Sequence, residues 1–266
     1  MAFPVTIQEN NVSIAYLKVL HAILDARGHE VAPLVVSIGG FGDDYSIPEN
    51  PAIRAEVDAF VIAHKQQGGC HTVANTIFPI RMYERVKYDR ARLFSDYKLI
   101  FPRIQAAEKS LNNRGLYFDR MIQNNGGGEA DNQLDYIIHR HNTRAETGVL
   151  RRSALQVSIF RPVDDHQPTP YLGFPCLQHL SVVPNKKTGS LCLNAFYAQQ
   201  DVVRKAYGNY LGLCRLAAFL GREMSLKVDT VTCFIGTEKI EAKVTMPELR
   251  GLAVKLDSLT STTANG

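Results

Sequence analysis

Apolar side chains recur at helical spacing in several stretches of this chain of 266 residues. In the stretch 14–26 the apolar positions form one stripe, and Gly28 stands where such a helix would end. The stretch 201–224 carries the clearest stripe, through Val203, Ala206, Tyr210, Leu213, Ala217, Leu220 and Met224. The pattern also predicts helices over 51–64, 72–80, 102–111 and 132–141.

Short β-branched or alternating runs predict strands between these helices. They lie at 33–38, 154–160, 177–183, 190–197 and 228–235. Strands mixed with long helices predict an α+β protein, with a mixed or antiparallel sheet covered by helices. No linker divides the chain, so we expect a single domain over 1–256. The Ser/Thr-rich stretch 257–266 is expected to be a disordered tail, and the polar, glycine-rich stretch 124–128 a mobile loop.

Composition narrows the class of protein. The chain is 45% hydrophobic and 21% charged, with a net charge of +4 from scattered Lys and Arg, so no nucleic-acid footprint is indicated. The 5 cysteines form no CxxC pair, which argues against a disulfide framework or a metal site and favours the cytoplasm. We see no signal peptide and no run of about eighteen apolar residues, so we expect no membrane span.

Cys176 is the candidate nucleophile. It follows Pro175 at the entry to a predicted strand, and a cysteine attacks carbon only as thiolate, which needs a nearby positive charge. We expect that charge from the upstream arginines Arg151, Arg152 and Arg161. The alternative is a buried structural cysteine. His179 would lie on the other face of the strand, so a dyad with Cys176 is not predicted.

Asp201 and Asn209 are the candidate polar groups on the long predicted helix. Asp201 precedes the helix and can cap its free amides, a role worth about 1 kcal/mol that requires no substrate. Asn209 stands at the edge of the apolar stripe. Its amide offers a donor and an acceptor, which suits the C=O and N–H edge of a pyrimidine. The alternative is a solvent-facing asparagine.

Several segments together resemble the thymidylate synthase family, including its nucleotide hydroxymethylase branch. Asp201 through Asn209 to Leu226 is similar, without a gap, to the family's aspartate, its substrate-reading asparagine and the helix that follows. The other matching segments are Ser158-Ile159-Phe160-Arg161-Pro162, Phe174-Pro175-Cys176, Phe234-Ile235-Gly236 and Gly115-Leu116-Tyr117-Phe118. In the last segment Phe118, rather than Tyr117, falls on the family's aromatic position.

The resemblance implies a mechanism and a set of site residues. The Cys176 thiolate would add to C6 of the pyrimidine ring, and C5 would attack a one-carbon unit from 5,10-methylenetetrahydrofolate. Asn209 would read the ring edge, with Asp201, Gln199, Tyr117 and Phe118 as further substrate contacts. In the family, arginines from both subunits of a dimer hold the 5′-phosphate. Arg151 and Arg152 lie close in sequence to the arginine pair that each subunit contributes to its partner's site. The family also implies a homodimer formed sheet to sheet.

The departures from the family concern the phosphate, ribose and folate. Ala198 and Gln199 replace the phosphate-gripping Arg-Ser pair, and glutamine cannot replace a bidentate guanidinium. Lys239-Ile240-Glu241 replaces the ribose-binding His-x-Tyr, Leu177 replaces a histidine, and the chain has no tryptophan. We therefore expect a divergent enzyme that methylates or hydroxymethylates a pyrimidine-type ring without the usual 5′-monophosphate recognition. The alternatives are an inactive homologue that binds a ligand or a protein and, ranked last, acyl chemistry at Cys176.

Overall fold

A seven-stranded mixed sheet forms the centre of the molecule. The computed structural model describes residues 4–64, 68–107, 115–123, 131–144, 151–166, 168 and 175–261. The strands are β1 (Val5–Glu9), β2 (Glu30–Val31), β3 (Leu34–Ile38), β4 (Gln156–Ser158), β5 (Leu177–Asn185), β6 (Ser190–Asp201) and β7 (Lys227–Lys239). They run in the order β1-β3-β7-β6-β5-β4, and β2 also pairs with β7. The β1–β3 and β6–β7 pairs are parallel and the others are antiparallel.

Helices of very different lengths surround the sheet. They are α1 (Val12–Asp25), α2 (Pro51–Ala63), α3 (Cys70–Ile77), α4 (Ile80–Arg85), α5 (Arg90–Ala107), α6 (Tyr117–Ile122), α7 (Gln133–Arg144), α8 (Pro162–Asp165), α9 (Tyr207–Met224) and α10 (Met246–Ser261). Short 3-10 turns occupy Arg27–His29 and Arg152–Ala154, and a π-helical turn, Val202–Ala206, leads into α9. In the part of the chain that the structure describes, no helix is long and apolar enough to cross a bilayer.

The buried helix α9 lies at the centre of the helical layer. It packs on the sheet, on α1 and on α3. Two glycines allow α3 to come very close: a Cβ on Gly208 would lie 2.5 Å from the Val73 Cβ, and one on Gly212 would lie 2.9 Å from the Ala74 carbonyl oxygen. This close packing fixes the position of the helix that begins beside Asp201.

β6 and β7 change phase at the same point. Along β6 the buried positions alternate regularly to Tyr197 and then resume at Gln200; along β7 they alternate to Ile235 and resume at Glu238. Side chains in a strand alternate with a period of two, so each strand has one extra residue between these positions. Because both strands have it, the pairing is unchanged: Tyr197 stays opposite Ile235, and Gln200 stays opposite Glu238. Gly236 permits this, because a Cβ on it would lie 2.6 Å from the Ala198 carbonyl oxygen. The shift turns Gln200, Asp201 and Glu238 into the interior.

The prediction of a mixed sheet with long helices is confirmed at this coarse level. The helices predicted over 14–26, 51–64, 72–80 and 132–141 are present with ends shifted by a few residues. The helix predicted over 102–111 is wrong in its bounds, since α5 begins at Arg90 and contains Pro102. The strand predicted over 190–197 continues to Asp201, and the first turn of the 201–224 helix is a π-turn.

The predicted tail after Leu256 is wrong in its first part. α10 continues to Ser261 because Leu249, Leu252 and Leu256 form a buried stripe, and the helix packs on α1 and α2. Residues 262–266 and the predicted loop 124–128 lie outside the described residues.

Candidate functional site

Cys176 lies at the end of the sheet where β5 begins. Its carbonyl oxygen accepts a hydrogen bond from the Ala198 N–H at 3.0 Å, which ties it to β6. Its side chain is half-buried, packs against the core and is a free thiol. Phe174, the first residue of the family-like Phe-Pro-Cys motif, lies outside the described residues.

Tyr117 is the aromatic residue beside the thiol. It opens α6 and is half-buried, and its hydroxyl interacts with the backbone N–H groups of Cys176 and Leu177. Desolvation, followed by the neighbouring Cys176 sulfur, raises the pKa of the Tyr117 hydroxyl, so it stays protonated. A hydroxyl held at this point can donate a hydrogen bond to a molecule bound next to the sulfur.

Lys205, in the π-turn, is the cation whose charge lowers the pKa of the Cys176 thiol. Its side chain is exposed, while nearby protein atoms partly desolvate the ammonium. This desolvation, then the charge of Arg204, lowers the pKa of Lys205, while Asp201 and Cys176 act in the opposite direction. Sequence reasoning missed this residue.

The pKa of Cys176 is raised, so the free protein holds a thiol. Burial is the largest cause, the Glu241 carboxylate adds to it, and the Lys205 charge opposes both. The expectation that upstream arginines supply the positive charge is wrong. The Arg161 guanidinium donates to the Gln123 carbonyl at 2.5 Å, and Arg152 is held elsewhere.

Asp201 and Glu241 organise the rim of the site. Asp201 accepts from the Val203 N–H at 3.1 Å, which confirms its capping role, and its other carboxylate oxygen pairs with Arg204. The Gln199 amide donates to Glu241 at 2.5 Å, and the Lys239 ammonium lies 3.2 Å from the same carboxylate oxygen. Gln199 and Asp201, predicted as substrate contacts, therefore lie together at this end of the sheet.

Asn209 lies one helical turn after Lys205 and is only 3% exposed. The alternative of a solvent-facing asparagine is therefore wrong. No hydrogen bond of its side-chain amide is found within the described ranges, nor one that joins it to Cys176. The position of Asn209 is compatible with a role in binding, and that role stays a prediction.

Phe118 is a core residue. It is fully buried and makes edge-to-face contacts with Phe78 and Tyr97, whose ring centroids lie 5.6 and 4.7 Å away. The prediction that Phe118 rather than Tyr117 takes the aromatic position at the site is thus wrong. The two residues are consecutive in a helix, so a register error of one residue exchanges a core position for a site position.

Arg151 and Arg152 do not lie beside Cys176 of the same chain. Both are exposed, and the Arg152 Nε donates to the Pro184 carbonyl at 3.1 Å. Leu177 is at the start of β5 and Pro184 is near its end, so the two are about 24 Å apart along the extended strand. Neither arginine therefore binds a ligand at Cys176 within one chain.

A second buried polar group lies deeper, behind Asp201. Glu238 is fully buried, and neither of its carboxylate oxygens has a hydrogen-bond partner in the structure as described. Burial, followed by the Asp201 charge, raises the pKa of Glu238 well above that of an ordinary glutamate, which favours its protonated form. The hydroxyls of Tyr16 and Tyr210 lie close enough for the charge of Glu238 to raise their pKa values as well.

No metal-binding arrangement is found among the described side chains, since no three His, Cys, Asp or Glu groups converge as ligands. The groups at the site are the Cys176 thiol, the Lys205 amine, the Tyr117 phenol and the Asn209 amide, with the Glu241 carboxylate at the rim.

No protein-family model matches this chain, and no curated protein matches it either. Among solved structures, the chain is similar to the crystal structure of thymidylate synthase from T4 phage, with a TM-score of 0.40 and 18% identity. The match covers 51% of this chain and 42% of that chain, so it spans less than half of the phage enzyme's length. A likeness of this size leaves the activity to be argued from the residues of the site.

Proposed function

We propose that this protein is a divergent thymidylate synthase-like enzyme that uses the Cys176 thiolate to activate a pyrimidine-type ring for one-carbon transfer at C5. The observation that carries the proposal is the grouping of Cys176, Tyr117 and Lys205 at one end of the sheet, next to the helix that presents Asn209. The sequence motifs around Cys176 and Asn209 supply the reaction class.

Lys205 is the group that activates the thiol. The thiol proton leaves to solvent, and the Lys205 ammonium favours the resulting thiolate, just as the thiolate favours the charged form of Lys205. The thiolate then adds to C6 of the ring, and the electron pair of the C5–C6 bond moves to C5 and the neighbouring carbonyl. C5 attacks the carbon of a one-carbon donor at the formaldehyde level; water then replaces the donor's carrier, which leaves as the free amine, and a C5 hydroxymethyl group results without an oxidant or reductant. Loss of the C5 proton and expulsion of the thiolate restore the ring.

Tyr117 and Asn209 are the groups that orient the ring. The Tyr117 hydroxyl is held at the backbone of Cys176 and stays protonated, so it can donate to a ring carbonyl. The Asn209 amide offers a donor and an acceptor in a buried position, which matches the C=O and N–H edge of a pyrimidine.

The rim of the site does not favour a 5′-monophosphate. Ala198 carries no charge, Gln199 is bound to Glu241, and Arg204 pairs with Asp201. A phosphate dianion binds best to a bidentate guanidinium, and these residues leave none free for it. We therefore propose a substrate whose ring carries a group other than a simple 5′-monophosphate.

The resemblance implies 5,10-methylenetetrahydrofolate as the one-carbon donor, but the residues of the site do not fit it. The family packs folate partly on tryptophans, and the chain has none. Tyr117 keeps partial exposure, whereas Phe118 and Tyr197 are buried in the core. This set gives no pair of open aromatic faces for a pterin, so no step of the mechanism runs through folate.

The outer face of the sheet supports a homodimer formed sheet to sheet. Phe196 and Phe234 are 38% and 41% exposed on this face, and their rings stack with centroids 5.6 Å apart. Partly exposed small polar groups lie next to these rings, such as Thr232 on β7 and its hydrogen-bond partner Ser37 on β3. A flat face with central aromatic residues and a polar surround is typical of protein interfaces.

One observation favours a second candidate, an inactive homologue that binds a ligand or a protein partner. The raised pKa of Cys176 makes the resting thiol a poor nucleophile. In that case the site would bind its ligand without covalent chemistry, and replacing the sulfur by oxygen would leave binding unchanged.

The test is a panel of pyrimidine bases, nucleosides, nucleotides and sugar-modified nucleotides, followed by ultraviolet absorbance. Addition of the thiolate to C6 breaks the ring conjugation, so we expect a loss of pyrimidine absorbance with the wild type. Cys176→Ser should abolish that loss while ligand binding, measured by calorimetry, is kept. Binding without any absorbance change in the wild type would favour the inactive homologue, and absence of binding across the panel would contradict both candidates.

A further inference from the structure

A surface depression lies far from Cys176, near the turn between β5 and β6. It has a volume of about 270 Å³ and is lined by His141, Arg152, Pro184, Asn185, Lys186 and Lys187. Arg152, Lys186 and Lys187 give it positive charge, and its lining contains no carboxylate as far as the chain is described. A concave, cationic surface of this size can enclose a small anion.

His141 gives the depression a built polar group. The residue is 5% exposed, and its Nδ1 has no hydrogen-bond partner in the described structure. The other ring nitrogen faces the Met224 carbonyl, to which it must donate. Burial, then the Lys186 charge, lowers the pKa of His141, so the ring is neutral at pH 7 and Nδ1 is an acceptor.

Arg152 and Asn185 are pre-oriented as donors. The Arg152 Nε is fixed on the Pro184 carbonyl at 3.1 Å, and no ion pair of its guanidinium is found in the described ranges. The Asn185 Oδ1 accepts from the Lys187 backbone N–H at 3.1 Å, which leaves the Asn185 amide N–H groups available. The site therefore combines several cationic or neutral donors with one buried acceptor.

We propose that this depression is a site for inorganic hydrogen phosphate. The anionic oxygens would accept from Arg152, Lys187 and the Asn185 amide, while the remaining P–O–H would donate to His141 Nδ1. Sulfate has the same shape and charge but carries no proton at pH 7, so it would leave His141 unpaired. A site with a buried acceptor therefore selects hydrogen phosphate over sulfate. The inference is independent of the proposed function, because it uses residues remote from Cys176.

The experiment is an NMR titration of the full chain with sodium phosphate, sodium sulfate and sodium chloride at matched ionic strength, followed through the His141 ring resonances. We expect a saturable shift with phosphate in the millimolar range, and binding of sulfate about tenfold weaker or more, the cost of one unpaired buried acceptor. Methyl phosphate is mainly an unprotonated dianion at pH 7, so we expect it to bind as weakly as sulfate does. Binding of methyl phosphate as tight as that of inorganic phosphate would contradict the role of His141.

Arg152→Ala and Lys187→Ala should each weaken phosphate binding about tenfold, since each removes a charge-assisted donor. Lys187 is exposed in the turn, so its replacement leaves the fold intact. Lys243→Ala, which removes an exposed lysine elsewhere, is the matched control and should bind phosphate as the wild type does. Equal shifts with sulfate or chloride, no phosphate shift at all, or equal loss in the control would overturn the proposal.

Discussion

Cys176 and Lys205 act on each other's protonation across the start of β5 and the π-turn before α9. The Lys205 charge lowers the pKa of the thiol against the effect of burial, and the thiolate raises the pKa of the amine against the same effect. Each group thus favours the charged form of the other. Burial is also the largest cause of the raised pKa values of Cys214 and Cys233. Those two cysteines are fully buried in the core, whereas Cys176 is half-buried and has Lys205 beside it.

Replacing Lys205 should make Cys176 less reactive. Lys205→Met keeps the length of the side chain and removes the charge, so the pKa of the thiol rises further and the thiolate fraction falls. We expect the alkylation of Cys176 by iodoacetamide, measured against pH by peptide mass spectrometry, to move to higher pH. Lys243→Met is the control and should leave the profile unchanged. An unaltered profile in Lys205→Met would remove Lys205 from the account.

Glu238 should make the protein less stable as the pH rises. Its folded-state pKa lies above the unfolded value, so its contribution to stability is fully present below about pH 4.5 and is lost as the pH rises towards the folded pKa. Every tenfold difference in proton affinity between the folded and unfolded chain corresponds to about 1.4 kcal/mol of stability. Glu238→Gln, which does not titrate, should therefore become more stable relative to the wild type as the pH rises above about 4.5, as measured by urea unfolding.

The matched control for this prediction is Glu56→Gln, which removes the partly exposed partner of Lys255. It should change stability by less than about 1 kcal/mol at any pH. A wild type and a Glu238→Gln variant with parallel pH profiles would show that Glu238 titrates like an exposed acid.

Asp201 should contribute more to stability than a simple helix cap. It caps the π-turn, pairs with Arg204 and accepts from the Glu241 N–H at 3.4 Å, and it is buried. Asn11, which caps α1 through the Ser13 and Ile14 amides, is the comparison. We expect Asn11→Ala to cost about 1 kcal/mol and Asp201→Ala about twice as much. If both variants lose the same stability in thermal or chemical unfolding, Asp201 acts only as a helix cap.

Gly208 should tolerate no side chain, because α3 lies against it. A methyl group there would be placed 2.5 Å from the Val73 Cβ and 2.7 Å from the Cys70 carbonyl oxygen. Gly208→Ala should destabilise the protein by about 1–3 kcal/mol. Gly251 lies in α10 with nothing within 4 Å of the new methyl group, so Gly251→Ala should instead stabilise by about 0.5–1 kcal/mol. A gain in both variants would mean that α3 and α9 are farther apart than these distances require.

The sequence predicts those helices and strands whose apolar residues keep a regular spacing. The stripe through Leu213, Ala217 and Leu220 predicts α9, and the β-branched run ending at Ile38 predicts β3. The helix α5 was placed too late because Pro102 is a usual start signal, whereas here it lies inside a helix that begins at Arg90.

The site was predicted in part for a physical reason. Asp201 and Gln199 follow directly from the motif, but Lys205, Glu238 and Glu241 depend on how β6, β7 and the π-turn are shifted. The phase change near Ala198 and Gly236 turns Gln200 and Glu238 inward. A strict alternation from Tyr197 and Ile235 would instead have placed both side chains on the outer face of the sheet. Tyr117 and Phe118 were exchanged for a different reason: they are consecutive in α6, where neighbouring residues point about 100° apart, so one faces the site and the other the core.

The most direct test of the account is exchange of the ring C5 hydrogen with solvent. If the Cys176 sulfur adds to C6, C5 becomes basic and takes up deuterium from D₂O even without a one-carbon donor. In ¹H NMR, the wild type should therefore erase the H5 signal of its pyrimidine substrate, Lys205→Met should do so more slowly, and Cys176→Ala should not do so at all. Exchange that persists in Cys176→Ala, or no exchange of any pyrimidine that binds the wild type, would contradict the account.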